Sequence, residues 1–371
     1  MPALPWRDRL AAWHDRMMAS VRFRQWAARF PLTRPVARRR ARALFDLTAG
    51  FVYSQVLLAC VELRVFAVLA ESPLEIRALA HRIGLPVEPA MQLMEAAEAL
   101  GLTRRRGNRW ALGRLGAVMV GNSALEAMVR HQAMLYRDLA DPVALLRGER
   151  GGGALAAYWP YVGTARPDQL DEAQIAPYTT LMAASQPMIS AEVLAVYDFG
   201  KHRRLLDVGG GDGSFLCEVG RAHRELGLML FDLPAVMGQA TPRFAAAGIA
   251  QRASLHGGDF HAMELPRGAD IVSFVRVLHD HDDRAVQQML RAAHAALPPG
   301  GTLLIAEPMS GASGAEAMGA AYFGLYLRAM GTGRPRRPEE LLGFVRDAGF
   351  RNARLVPTAT PLVTQVIVGF A

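Results

Sequence analysis

The chain has 371 residues, 51% of them hydrophobic and 20% charged, with a mean hydropathy of +0.11 and a formal charge of +8. This composition excludes a disordered or low-complexity polymer and supports two domains around a large core, with apolar surface left for binding. The charge points to a nucleic-acid partner only until its position is read: residues 1 to 45 hold eleven Arg against two Asp, a balance of +9, so the remaining chain carries −1.

In chain order, the basic arm at 1–45 comes first. Its arginines interleave with Trp6, Trp13, Phe23, Trp26 and Phe30. That pattern suits peripheral contact with an anionic membrane surface, and equally a solvated helix clasping a second copy. The first residues show no apolar signal core or small-residue cleavage site. The uncharged apolar run Leu47 to Val61 is about 15 residues, too short to span a bilayer, so no transmembrane helix is expected. Cys60 and Cys217 stand far apart, which gives no disulfide framework and makes the cytoplasm the default compartment.

An apolar helical stretch over 43–70 leads into LEIRALAHRIGL, PVEPAMQLMEAAEALGL and TRRRGNRWALG. The series reads as helix, helix, helix and wing, with Arg104 to Arg106 in the wing. Such a unit reads DNA in some proteins and joins chains in others. The run Gly151 to Gly153 and Pro167 mark a loop or hinge, and YTTLMAASQPMISAEVLAVYDF then forms a helix entering the last domain. From residue 203, seven strand patterns recur: RLLDVGG, LMLFDLP, ASLHGG, DIVSFVRV, TLLIAEP, ARLVPT and TQVIVGF. The first five alternate with helices, which predicts a parallel sheet covered on both faces; the last two are joined by too few residues for a crossover and should pair antiparallel. The expected divisions are the arm at 1–45, the winged-helix-like unit at 46–125, a helical linker and cover at 126–200, and an α/β domain at 201–371.

The chemistry is concentrated at strand ends. The first strand runs into Asp207-x-Gly209-x-Gly211-x-Gly213 ahead of a helix at Ser214. Glycines let the backbone turn with positive φ and approach a ligand, and the helix presents unpaired N–H groups. A dinucleotide loop, G-x-G-x-x-G, would need its third glycine at Ser214. The spacing favours the loop that holds the methionine part of S-adenosylmethionine. Asp232, about 20 residues on, suits a pair of ribose hydroxyls, although Asp232 ahead of Pro234 also reads as a helix start. Asp259 and Phe260 in HGGDF suit an adenine amino group and an adenine face, with a plain turn as the alternative. HDHDD, His279 to Asp283, follows the fourth strand. Its histidines offer a metal pair, a structural role or a general base, and its acids suit a helix cap.

DVGGGDG, FDLPAV, GGDF, RVLHDHDD and LLIAEPM resemble, in order and spacing, the cation-independent O-methyltransferases of small molecules, across nearly the whole chain. The longer stretches FPLTRPVARRRARALFDL, FVYSQVLLAC, DLADPVALLRGE and GGTLLIAEPM resemble that family's branch in purple-bacterial carotenoid synthesis, the hydroxyneurosporene O-methyltransferases. The resemblance implies a class I methyltransferase fold, with a seven-stranded doubly wound sheet and an N-terminal winged-helix dimerisation domain. It further implies a homodimer, S-adenosylmethionine as methyl donor, no metal, no nucleic acid and a hydroxylated carotenoid as acceptor. His279 aligns with the family's base and Glu307 with the acid that orients it. Arg276 stands beside Val275, where many members have a cofactor-contacting lysine. His281 replaces the usual Trp, and Pro335 occupies the position of an acid found in phenolic members. Tyr178, Met182 and Tyr326 match acceptor-site positions. A phenolic or polyketide acceptor, or a DNA-binding regulator without catalysis, are the other readings; the presence of His279 and Glu307 speaks against the regulator.

Overall fold

The computed structural model describes residues 6–149, 152–159, 172–260, 263–311, 316–361 and 363–371, with the backbone alone for 172–180. It divides into two compact units, residues 1–122 and 123–371. Gly151 and Pro167 of the expected hinge lie outside the described residues.

The first unit opens with helices α1 (Trp6–Ala19), α2 (Val21–Arg29) and α3 (Arg34–Glu62). Ser20 caps α2, its hydroxyl accepting the Phe23 N–H at 3.4 Å. Helix α3 exceeds the 15-residue uncharged run seen in the sequence: at 29 residues it contains an 18-residue window that by length and composition alone could cross a bilayer, of which 11% is buried. The uncharged run had been bounded at Asp46, but one acid does not stop a helix, and Leu44 and Phe45 extend the apolar stretch. Beyond it come α4 (Val65–Glu71), β1 (Leu74–Glu75), α5 (Ile76–Ile83), α6 (Val87–Ala99), the hairpin β2 (Thr103–Arg106) and β3 (Arg109–Leu112), and α7 (Arg114–Met119). The helices and wing follow the expected order. Strand β1 was read as the start of α5; its Leu74 and Glu75 pair antiparallel with Trp110 and Arg109 on the free edge of the hairpin. Cys60 is a buried free thiol, and so is Cys217 in the second unit.

The second unit starts with a helical layer, α8 (Ser123–Asp138), α9 (Pro142–Arg147), α10 (Ala154–Tyr158) and α11 (Glu172–Val196). Asp138 pins α10 by accepting the Ala154 and Leu155 N–H groups at 2.7 and 2.8 Å, which fixes Trp159 just beyond it. The α/β part follows as β4 (Arg204–Val208), α12 (Ser214–Ala222), β5 (Gly227–Asp232), α13 (Pro234–Met237), α14 (Ala240–Ala246), β6 (Ala253–Gly257), β7 (Ile271–Val275), α15 (Asp283–Ala296), β8 (Thr302–Glu307), α16 (Phe323–Met330), α17 (Pro338–Asp347), β9 (Arg351–Val356) and β10 (Gln365–Phe370).

All seven expected strands form one sheet in the order β6-β5-β4-β7-β8-β10-β9. The first five are parallel, while β10 runs antiparallel to both β8 and β9. Successive residues alternate between faces. Leu206, Val272, Phe274, Leu303 and Ile305 pack under α15 and α17, whereas Leu205, Ile271, Leu304 and Val366 meet α11 and α12. The strand order reverses between β4 and β7, so a crevice opens beyond their carboxyl ends. Every motif residue sits at that end.

Candidate active site

The turn after β4 follows from its glycines. Gly209, Gly211 and Gly213 have φ of 70°, 63° and 76°, which a side chain would strain. Gly210 was not singled out in the sequence, yet a Cβ there would stand 2.3 Å from Asp207 Oδ2. Asp207 is fully buried and accepts the Ser273 hydroxyl at 2.6 Å through Oδ1. Its Oδ2 has no partner among the described residues. Burial pushes its carboxyl up to about 7, against the pull of the Ser273 bond. Asp232 ties the loop to β5: Oδ2 accepts the Gly211 N–H and Oδ1 the Leu233 N–H, both at 2.7 Å. Burial raises Asp232 to about 6 despite these two bonds. Each oxygen keeps a further lone pair. With Asp259, Phe260 and Arg276, these groups line one cavity of about 710 Å³.

Arg276 has φ of 59°, unusual for a residue with a side chain. Its guanidinium reaches α11, with Nη1 2.8 Å from Ser185 Oγ and Nη2 2.9 Å from Met182 Sδ. Met182 also lines the cavity. Tyr326 lies behind the wall, bonded to His131 Nε2 at 2.7 Å and to the Trp159 indole at 3.4 Å, while Trp159 itself faces the cavity. The Tyr178 side chain is outside the described set.

His279 is 8% exposed and set back from the cavity, whose wall at this point is Asp280, His281 and Asp282. Its Nε2 lies 3.1 Å from Asp280 Oδ1, and its Nδ1 lies 3.8 Å from Glu307 Oε1, beyond hydrogen-bond reach. Glu307 therefore holds the turn by another route than the imidazole contact expected from the sequence: Oε1 accepts the backbone N–H groups of Val277 at 3.1 Å, Leu278, and His279 at 3.3 Å. Burial disfavours a charged ring at 279, but the charges of Asp280 and Glu307 outweigh it and hold the imidazole above its ordinary range. Burial pushes Asp280 up to about 6, with His279 pulling it down. The His281 ring points elsewhere, edge-on to Phe260 at 5.2 Å. Asp282 caps α15 by accepting the Ala285 N–H at 2.8 Å.

The segment after α16 holds the same turn by its carbonyls. Arg336 donates to Leu278 O at 2.8 Å and His281 O at 2.7 Å, the Arg334 N–H to His279 O at 3.0 Å, and the Thr332 hydroxyl to Asp280 O at 2.7 Å. Arg336, 3% exposed, also pairs with Asp283 at 2.8 Å. Gly333 passes so close that a Cβ would meet His279 O at 2.2 Å. Thr332 and Arg336 escaped the sequence reading because what they contact is backbone, which no motif spacing marks, and Asp280 is read there only among the acids of a helix cap. Among the described residues, no group of three His, Cys, Asp or Glu side chains is placed to hold a metal.

A parallel sheet with an antiparallel terminal pair, a glycine turn, a buried acid at the next strand end and a histidine beyond the fourth define a class I methyltransferase. An O-methyltransferase domain matches residues 136–351 and an O-methyltransferase dimerisation domain residues 45–122, and the chain belongs to this O-methyltransferase family. It is 44% identical to the demethylspheroidene O-methyltransferase of Cereibacter sphaeroides over 353 residues, 95% of this chain and 93% of that one. Identity to the enzyme of the same name from Rhodobacter capsulatus is 42%, over 95% and 88% of the two chains. The solved S-adenosylmethionine-dependent methyltransferase SibL superposes with a TM-score of 0.73 at 27% identity, covering 88% of this chain and 98% of its own.

Proposed function

We propose that this chain transfers the methyl group of S-adenosylmethionine to the tertiary 1-hydroxyl of an acyclic carotenoid of the hydroxyneurosporene or demethylspheroidene type, in spheroidene or spirilloxanthin synthesis. The observation that carries the reaction is the convergence of the glycine turn, Asp232 and Asp280 on one cavity, with His279 Nε2 3.1 Å behind Asp280. The acceptor class rests on the two carotenoid-enzyme relatives, which align over 95% of this chain.

The residues fit the donor. Asp207 has a buried oxygen without a partner, suited to the methionine ammonium beside Gly209, Gly211 and Gly213. Asp232 retains lone pairs for the ribose hydroxyls, and Asp259 and Phe260 line the same cavity and would serve an adenine edge and face. Arg276 borders the same cavity and would contact the donor's carboxylate. When bound, the donor supplies an electrophilic methyl on a sulfonium.

The protein's own work is to orient and to move one proton. The acceptor hydroxyl enters beside Asp280, and its proton passes to the His279–Asp280 pair, with Nε2 as final acceptor and Glu307 balancing the imidazolium that forms. A tertiary alcohol is too weak an acid to be deprotonated by imidazole in advance, so proton loss and C–O bond formation must coincide with breakage of the sulfonium S–C bond, leaving S-adenosylhomocysteine. Orientation can supply roughly 7 to 11 kcal/mol and a positioned base about 10² to 10⁴ in rate, so positioning dominates. A backbone held by amides and carbonyls alike serves that purpose. We also infer a homodimer joined through the dimerisation domain, with the exposed Phe45, Leu47 and Phe51 on α3 facing the second copy, and a cytoplasmic location.

The test is methyl transfer from labelled S-adenosylmethionine, without added metal, to 1-hydroxyneurosporene in detergent and to a simple catechol side by side. Labelled methoxy-carotenoid is the expected product. Transfer to the catechol alone would overturn the acceptor assignment and leave the reaction standing.

A further inference from the structure

We infer that residues 6–42 form a membrane-docking arm that binds the surface of an anionic phospholipid bilayer. The inference goes beyond the acceptor assignment, although a carotenoid acceptor would be dissolved in such a bilayer.

The arm carries two features on short helices. In α1, Trp6, Leu10 and Trp13 recur at helical spacing and are 70%, 57% and 56% exposed, while Met18 turns inward to meet Arg40. In α2, Phe23, Trp26 and Phe30 form a ladder, with centroids 5.7 and 5.0 Å apart and the second pair stacked at 14°. Trp26 is 50% exposed even so. Around these rings stand Arg7, Arg9, Arg16, Arg22, Arg24 and Arg29, and the first nine residues of α3 add five more arginines. Indole rings and apolar side chains beside guanidinium groups, at low overall hydropathy, are the composition of a helix lying in the headgroup plane. Arginine is suited to phosphodiester groups because its fork meets two oxygens at once.

Charge decides between the occupants. Pairing of arm on arm across a symmetric interface would bring one +9 segment onto another, and the rest of the chain, at −1, offers no net charge to match it. An anionic bilayer complements it. The dimerisation domain matches residues 45–122, past the arm. The alignment to the Cereibacter sphaeroides enzyme covers 95% of this chain and so takes in at least about 24 of the first 42 residues.

The experiment is flotation of the full-length protein with vesicles of phosphatidylcholine alone and of phosphatidylcholine mixed with phosphatidylglycerol. It is run at about 0.1 M and about 1 M salt, across which the screening length falls from about 10 to about 3 Å. The protein should float with the anionic vesicles at low salt and not at high salt. Replacing Arg7, Arg9, Arg16, Arg22 and Arg24 by Gln should lower partitioning at least about tenfold, and Trp6→Ser with Trp13→Ser should lower it as well. Deletion of residues 1–33, which removes both aromatic helices and leaves the five arginines of α3, should lower flotation sharply while light scattering still reports a dimer. Equal flotation of the wild type and the deletion variant would overturn the proposal. So would a deletion variant that becomes monomeric, which would assign the arm to the second copy. Flotation needs no acceptor: a protein that floats as described but methylates only the catechol keeps the arm and loses the carotenoid.

Discussion

Two carboxylates act on His279 through different atoms. Asp280 faces Nε2 at 3.1 Å, while Glu307 lies 3.8 Å from Nδ1 and bonds backbone amides instead. Since the base must be neutral to accept a proton and its charged form is favoured, the acidic limb of the pH–rate profile should fall above the ordinary imidazole value of about 6.5. Asp280→Asn removes the nearer charge and should move that limb down; a limb that stays in place would show that Asp280 does not set it. His279→Ala should leave the binding constant for S-adenosylhomocysteine unchanged and lower kcat by about 10² or more. The resemblance to the O-methyltransferases marked His279 and Glu307, where strand-end position alone left the histidine open between base, ligand and structural roles. The sequence did not display how Glu307 acts, because three amides converging on one oxygen depend on how the turn after β7 is wound, and no residue type encodes that.

At the level of elements, the sheet was legible because each strand is a short apolar run closed by a turn signal. The pairing of β9 and β10 followed from the length of their connection. Strand β1 was not legible: two residues are too few to show alternation, and their partner in β3 lies 33 or more residues away. The bonding of the 332–336 segment to the turn after β7 was hidden for the same reason, since it joins stretches about 50 residues apart through carbonyls. Arg336→Ala deprives Leu278 O and His281 O of their side-chain donor and leaves Asp283 to Arg334. This should cost about 3 kcal/mol in denaturant unfolding and lower kcat at least about tenfold with cofactor binding unchanged. Arg336→Lys should recover little, as an ammonium lacks the fork that reaches both carbonyls. A kcat equal to the wild type in Arg336→Ala would remove the segment from the positioning of His279.

For the whole molecule, composition gave the two-unit division in outline and the location of the charge in full. Helix α3 extends beyond the uncharged run in both directions and passes through Asp46 and Gly50 alike, because neither one acid nor one glycine outweighs the helix formers around it. The donor site lies wholly within the second unit. A ligand there stabilises the state that binds it. S-adenosylhomocysteine at about a hundred times its dissociation constant should therefore stabilise the folded protein by about 2.7 kcal/mol, read as a concentration-dependent rise in Tm. No rise would contradict the assignment of Asp207 and Asp232 to the donor. The free Asp207 carboxyl titrates near neutrality, at about 7, and its proton competes with the ligand's ammonium, so affinity should weaken about tenfold between about pH 8 and about pH 6.

The turn that bears His279 is fastened by peptide N–H and C=O groups, which every amino acid except proline possesses in full. Its shape is accordingly indifferent to most of the side chains mounted on it. Mutation can redraw the wall at 281 without displacing the neighbouring base, and a Trp-to-His exchange at that position is a change of this kind. An ancestral enzyme built this way could drift from one acceptor to another by single steps, each intermediate still catalytically competent.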